Sequence, residues 1–281
     1  MKRYEYGMRK IENIDDIKKM LVNILNAFSQ LCESHGLTYF LSGGTLLGAV
    51  RHEGFIPWDD DIDVFMPRED YEKLLQIEND RYPEEYSIFS YRNDRSHIYP
   101  FAKMYDNRTY LKEMRHIHNK NSGVFIDIFP IDGVSSRGLF LQQLKKIRVY
   151  RQLVKLAGTS IYRSRKSLLT FPRLFAVLCC KMIGLRFFLK RIDRIARCST
   201  ADQPYNAVKV WGYGEKEIFD SSVFSDTALL KFEGNQYRVP AEYDTYLKGL
   251  YGDYMKLPPE EDRVHRHEYD VFWRKNNSGD D

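Results

Sequence analysis

The chain has 281 residues, enough for one large domain or two small ones around a substantial core. Its 43% apolar content, with 20 tyrosines and 17 phenylalanines, excludes a disordered or fibrous polypeptide. A net charge of +4 hides a segregation: residues 137–200 hold sixteen Lys or Arg against Asp193 alone, a local +15, leaving −11 on the remainder.

The first expected element is a helix over residues 14–35. Ile14, Ile17, Leu21, Ile24, Phe28 and Leu31 share one face, Asp15 and Asp16 suit its N-terminus, and Gly36 marks its stop. A strand over 37–41 follows, then a small-residue turn at Gly43, Gly44 and Thr45 leading into a short helix over 45–51. After a turn at Pro57, residues 61–66 read as a second strand. Asp61 and Asp63 stand two apart there, so a strand would place both carboxylates on one face. Two such carboxylates repel unless a cation lies between them, and a divalent metal is the usual cation. A solvated acidic turn extended by Asp59 and Asp60 is the weaker alternative, because Ile62, Val64 and Phe65 supply buried partners at alternate positions. The glycine turn would bring phosphate oxygens to a helix N-terminus, and Arg51 and His52 would add charge to the same phosphates.

Residues 68–79 read as a helix, and shorter strands are expected near 86–91, 101–105 and 124–129. Lys103 lies among hydrophobes in the second of these, which suggests a phosphate contact; a snorkelling side chain explains it equally well. Asp127 lies between Ile126 and Ile128 in the third. A buried carboxylate is costly without a partner, so Asp127 is the expected third carboxylate of the site. Asp132, before Gly133, reads as a turn residue.

The basic block is expected to be helical. In its second half Leu174, Leu178, Met182, Leu185, Leu189, Ile192 and Ala196 recur every three or four residues, opposite Arg186, Lys190, Arg194 and Arg197. Pro172, Arg173, Lys181 and Arg186 interrupt the apolar run, which argues against a spanning helix. The stripe fits equally a helix packed on the core or one lying at a membrane interface, where Phe175 or Phe187 would protrude. Beyond residue 200, a Gly-aromatic turn contains Trp211, Tyr213, Lys216 and Glu217, and a hairpin is expected over 231–240. Arg263, His265 and His267 form a late basic cluster. Cys32, Cys179, Cys180 and Cys198 lack CxxC spacing, and the N-terminus lacks an apolar h-region. Together these point to reduced thiols, no zinc site and a cytoplasmic protein.

The β-helix-β-helix-β alternation suggests an α/β or α+β core with a mixed sheet. Four stretches in order resemble the LicD family, whose members transfer phosphocholine and related phospho-alcohols onto cell-surface glycans: LSGGTLLGAVRHEGFIPWDDDIDVFMPREDYEKL, FIDIFPIDG, GYGEKEIFD and YLKGLYGDYMKLPPEEDRVHRH. They span residues 41 to 267. The resemblance implies a nucleotidyltransferase-like α+β fold, a mixed sheet flanked by helices. The parts would be a catalytic core over 1–136, a basic amphipathic helical insertion over 137–200, and a C-terminal part over 201–281 completing the active site and acceptor region. It implies that Asp61, Asp63 and Asp127 are catalytic and hold Mg²⁺, with Mn²⁺ as the alternative, and that Gly43, Gly44 and Thr45 face the substrate. The spacing from Gly44 to Asp61 is longer than in many nucleotidyltransferases, though usual for LicD-like chains. The implied donor is CDP-choline, and the implied acceptor is a sugar hydroxyl on a lipid-diphosphate-linked oligosaccharide of teichoic acid or lipopolysaccharide type. A quaternary ammonium requires an aromatic cage, for which Trp58 or Trp211 with Tyr213 are the candidates. Lys103, Lys216, Glu217, Arg51 and His265 complete the expected substrate contacts. Ribitol-phosphate or glycerol-phosphate transfer, or true nucleotidyl transfer, are the enzymatic alternatives. A membrane- or nucleic-acid-binding module is the other class; nucleic acid is not the expected partner, because nothing in residues 41–66 serves that job. The basic block fits better as a dock for a lipid-diphosphate-linked oligosaccharide, a peripheral contact at the inner face of the cytoplasmic membrane.

Overall fold

A computed structural model describes residues 8–77, 83–113, 122–158, 170–197, 203–264 and 269–274. The described elements, in order, are β1 (Arg9–Ile11), α1 (Ile14–Ser34), β2 (Phe40–Leu41), α2 (Gly43–His52), β3 (Asp63–Pro67), α3 (Arg68–Leu74), β4 (Tyr86–Phe89), β5 (Ala102–Asp106), β6 (Thr109–Glu113), β7 (Phe125–Val134), α4 (Arg137–Gly158), α5 (Thr170–Ile183), α6 (Leu185–Ala196), β8 (Tyr205–Ala207), β9 (Ile218–Asp220), β10 (Thr227–Phe232), β11 (Asn235–Pro240), α7 (Tyr243–Tyr251) and β12 (Tyr269–Trp273).

The central mixed sheet runs β2-β3-β7-β5-β4. Its β3 and β7 are parallel and its other pairs antiparallel. The far end of β7 carries β8, which pairs in turn with β9. A second antiparallel sheet runs β1-β12-β6, and β10 with β11 forms a hairpin. The fold is α+β, consistent with a nucleotidyltransferase-like domain.

Helix α1 starts where expected. Asn13 caps it, its side-chain oxygen accepting from the Asp15 N–H at 3.0 Å, and the chain leaves it through Gly36 at φ +62°. Its buried face, including Ile17, Leu21, Ile24 and Phe28, packs against β5 and β7. That face joins Val64, Met104, Ile126 and Ile128 in one core.

Four expectations are corrected. The short helix begins at Gly43, so the glycines form its first turn and not a loop before it. The strand carrying the acidic pair starts at Asp63, so Asp61 approaches from the preceding loop. Strand β7 continues through Asp132 and Gly133, because Arg68 meets the buried Asp132 carboxylate with two bonds of 2.7 and 2.8 Å. Paired in this way, Asp132 tolerates a strand interior and is no turn residue. Finally, the apolar stripe of the basic block is not one helix: Gly184, at φ +90°, separates α5 from α6.

Within the basic block, Asp193 is the acid that holds α6 to the core. It is buried and accepts from Arg68 at 3.0 Å, Arg92 at 3.1 Å, Arg197 at 3.0 Å and the Tyr91 hydroxyl at 2.7 Å. Glu72 bridges Arg92 and Arg197 in the same cluster. Burial alone would raise the Glu72 carboxyl, but its bond to Arg92 and the charges of Arg92, Arg197 and Arg68 outweigh that and hold it at about 2. No helix among the described residues is long and apolar enough to cross a membrane.

Candidate active site

The strand register places three of the predicted residues in a row. Asp63 on β3 stands beside Asp127 on β7, which stands beside Lys103 on β5. Side chains level with one another on adjacent strands project from the same face, so this row needs no loop to assemble it. The Lys103 ammonium lies 2.7 Å from the Asp127 carboxylate. It is buried, against the rings of Phe125 at 3.4 Å, Tyr99 at 4.2 Å and Phe101 at 5.5 Å. Lys103 is thus neither a snorkelling residue nor a freely extended phosphate ligand, but the counter-charge of Asp127 in an aromatic box.

Among the described residues Asp63 has no such ion-pair partner of its own. Desolvation raises its carboxyl well above the usual range, and the charges of Asp61, Asp127 and Asp59 raise it further against the opposing effect of Lys103. Its backbone is pinned on both sides: the Asp63 N–H donates to Thr45 Oγ1 at 2.9 Å, and its carbonyl accepts from the Ser42 N–H at 3.1 Å. Thr45 therefore locks the start of α2 to β3. The acidic run is divided by the fold. Asp60 is buried and accepts from the Tyr269 hydroxyl at 2.8 Å, a structural role, whereas Asp59 faces the glycines.

Glycine is required at the start of α2. Gly43 has φ +50°, and a Cβ there would stand 3.6 Å from an Asp63 carboxylate oxygen; one on Gly44 would come within 2.6 Å of an Asp59 oxygen. Ser42 makes no side-chain cap, and the Gly44 and Thr45 N–H groups lie too early in the helix to have intrahelical acceptors. The Gly43 N–H donates to the Tyr246 hydroxyl at 3.3 Å. Uncapped amides beside small residues leave approach room for an anion. Gly43→Ala is expected to cost about 1 kcal/mol of stability through the left-handed backbone and to lower turnover by more than that loss of folded protein explains. Activity per folded molecule, taken from paired melting and rate measurements, checks this; turnover that merely tracks the folded fraction would reduce the glycine to a backbone requirement.

The C-terminal part closes the site with tyrosines. The Tyr213 and Tyr251 hydroxyls are 2.6 Å apart, and Tyr251 and Tyr213 are both near the position of a Gly43 Cβ. Behind them Glu217 is buried, accepting from the Tyr213 N–H at 3.3 Å through one oxygen. Its other oxygen finds no hydrogen-bond partner among the described residues. Burial pushes its carboxyl up to about 8.

Other predicted contacts fall elsewhere. Lys216 reaches back to the Leu250 carbonyl at 3.0 Å. Arg51, in the last turn of α2, bonds the Tyr254 carbonyl at 3.1 Å, a helix length from the glycines. Trp58 is half-buried, with the Arg263 guanidinium 5.8 Å from its ring centre. Trp211 packs edge-on to Phe101 and Tyr99, and the Arg151 guanidinium of α4 covers it at 4.2 Å. Trp211 therefore already carries a cation, which weakens it as a cage for a second one. His265 lies outside the described residues. Sequence reasoning missed Asp59, Tyr99, Tyr246, Tyr251 and Arg151. The tyrosines had no local signal among so many, although Tyr251 stands inside the quoted GLYGDY stretch.

These residues fit a divalent cation in part. Among the described residues no three His, Cys, Asp or Glu side chains are gathered as a metal-holding group. Asp127 is engaged by Lys103, and like charges do not converge by themselves. Asp61 and Asp63 still supply hard oxygen donors, and one or two carboxylates beside substrate phosphates are the common way to hold Mg²⁺.

The profile described as LicD/FKTN/FKRP, nucleotidyltransferase domain, matches residues 36–155, which carry α2, the acidic run, Lys103 and Asp127. The lipopolysaccharide cholinephosphotransferase LicD of Haemophilus influenzae is 30% identical over 274 aligned residues, covering 89% of this chain and 94% of that protein. The human ribitol 5-phosphate transferase FKRP is 30% identical over 119 residues, 41% of this chain and 21% of its own. With the carboxylate row inside the matched domain and likeness along nearly the whole length of one relative, the chain belongs to the LicD family.

Proposed function

We propose that this protein transfers phosphocholine from CDP-choline to a sugar hydroxyl of a cell-surface glycan precursor, releasing CMP. The observation that supports it most is the row of Asp63, Asp127 and Lys103 beside the uncapped first turn of α2. The similarity to a cholinephosphotransferase over most of the chain directs the choice of donor.

In this reading Asp61 and Asp63 would hold Mg²⁺ against the diphosphate, and Asp127 would stand at its edge. When bound, the ion supplies charge stabilisation for the diphosphate as it separates. The first-turn amides of α2 orient phosphate oxygens. The acceptor oxygen forms a bond to the choline-bearing phosphorus, the bond to the bridging oxygen breaks, and CMP leaves with that electron pair. Asp127 takes the acceptor's hydroxyl proton, with Lys103 fixing the direction of the carboxylate. Lys103 thus acts as a positioning residue.

The quaternary ammonium would rest against Tyr213 and Tyr251, with Glu217 as the counter-charge behind them. A carboxyl held near neutrality by burial ionises when a cation arrives beside it. Glu217→Gln is expected to raise KM for CDP-choline about tenfold, the scale of one desolvated cation contact, and to leave KM for CDP-ribitol unchanged. Equal losses with both donors would make Glu217 purely structural. The same carboxyl gives a stability signature. Its folded value of about 8 exceeds its ordinary 4.5, so the folded form retains a proton the unfolded chain has lost. Stability should therefore fall as pH rises between those values, and Glu217→Gln should flatten that decline in thermal melts.

The deciding experiment offers CDP-choline, CDP-ribitol and CDP-glycerol with one glycan acceptor and identifies the product. CMP with a choline-bearing glycan is the expected result. Preference for CDP-ribitol would move the reading toward the similarity with the ribitol 5-phosphate transferase, and pyrophosphate would indicate nucleotidyl transfer.

A further inference from the structure

The break at Gly184 leaves a surface that the carboxylate site does not use. On α6, Phe188, Leu189, Ile192 and Ala196 are buried against the rest of the protein. On α5, Val177 and Cys180 are buried, Cys180 joining Phe188 and Ala157 of α4 in a small core. The other side of α5 is apolar too and faces solvent. Phe175 is 70% exposed and Met182 81%, with Leu178 between them at helical spacing. Ile183 at the turn and Phe187 in the first turn of α6 continue the exposed patch. A helix apolar on both sides, placed at the surface, leaves one apolar side that none of the described residues covers.

The charges around this patch have one sign. Lys181, Lys190 and Arg194 are exposed, and the Arg191 guanidinium stands 5.1 Å from the Phe187 ring centre. None of these four pairs with a carboxylate among the described residues. The acid within α6, Asp193, is turned into the protein. A protein partner with an apolar face would need acids placed to match, whereas an anionic bilayer offers an apolar interior beneath a continuous negative surface.

We propose that the α5–α6 hairpin is a monotopic dock for anionic phospholipid bilayers, with Phe175, Leu178, Met182, Ile183 and Phe187 entering the acyl boundary while Lys181, Lys190, Arg191 and Arg194 meet the headgroups. The dock does not depend on the reaction proposed above. Helix α4 nevertheless links the two regions, since it packs on α5 and α6 and carries Arg151 over Trp211.

The test is flotation of the full chain with vesicles of phosphatidylcholine alone or mixed with phosphatidylglycerol. Wild type should float with the mixed vesicles, with partition at least about tenfold weaker on neutral ones or in high salt. The Phe175→Ser, Met182→Ser, Phe187→Ser triple variant should lose flotation while its circular dichroism and melting temperature stay at wild-type values. Lys190→Glu with Arg194→Glu should weaken binding to anionic vesicles selectively. Failure of wild type to float overturns the proposal, as does salt-insensitive binding to both vesicle types. A vesicle-independent dimer that the triple Ser variant dissolves would assign the patch to a second copy of this chain and overturn it too.

Discussion

Asp63→Asn is expected to abolish phospho-alcohol transfer while the protein folds as well as before. The substitution conserves volume and the backbone bonds to Thr45 and Ser42, because neither involves the carboxylate. In the free protein it removes a charge that Asp61, Asp127 and Asp59 all oppose, so the melting temperature should stay level or rise slightly. Turnover should nevertheless drop by about 10²–10³, the usual consequence of deleting one group that stabilises developing charge. Adding Mg²⁺ should raise the melting temperature of wild type and not of the variant, because a ligand that binds only the native state stabilises it by mass action. Rate assays that detect CMP and paired melting curves check both halves. Near-wild-type turnover would remove Asp63 from the chemistry, and an equal response to Mg²⁺ would remove it from the ion.

The largest stability effect is expected at Asp193, away from the chemistry. Asp193→Ala leaves Arg68, Arg92, Arg197 and the Tyr91 hydroxyl each short of one acceptor. Breaking a buried ion cluster from one side typically costs about 3–5 kcal/mol. Asp132 and Glu72 still serve the arginines here, so the low end, about 3 kcal/mol, is expected. For a chain of this size that lowers the melting temperature by about 10 °C. The exposed Asp253→Ala should shift it by less than about 2 °C. Proteolysis should cut the α4–α6 region of the Asp193 variant first, since Asp193 ties α6 to α3 and β7 through Arg68. Equal melting of the two variants would show that apolar packing alone retains α6.

Much of the site was readable from residue pattern. Alternation marked the strand holding Asp127, and two carboxylates near glycines marked residues that the fold brings together, Asp63 lying beside Gly43, because both features depend on nearest neighbours in the chain. Helix α1 was readable for the same reason: its cap, apolar period and Gly36 stop are all local. The roles of Lys103, Asp60 and Asp132 were not readable. A lysine among hydrophobes looks the same whether it reaches solvent or pairs with a carboxylate on the next strand, and only register distinguishes the two. Asp132 before Gly133 has the composition of a turn until Arg68, 64 residues away in sequence, arrives to neutralise it.

By itself, then, the sequence determined which short segments could be helices and strands, which carboxylates stood in the glycine-acid motif, and which family the chain resembles. Only the tertiary structure decided that Asp63, Asp127 and Lys103 form one row, that Arg151 already occupies Trp211, and that the apolar period of the basic block is cut at Gly184. The physical reason is the same in each case. Hydrophobic period and turn chemistry act over a few residues, whereas register, ion pairing and the covering of an apolar face depend on segments that are distant in the chain. One glycine at φ +90° was enough to turn a single predicted stripe into a buried half on α6 and an exposed half on α5.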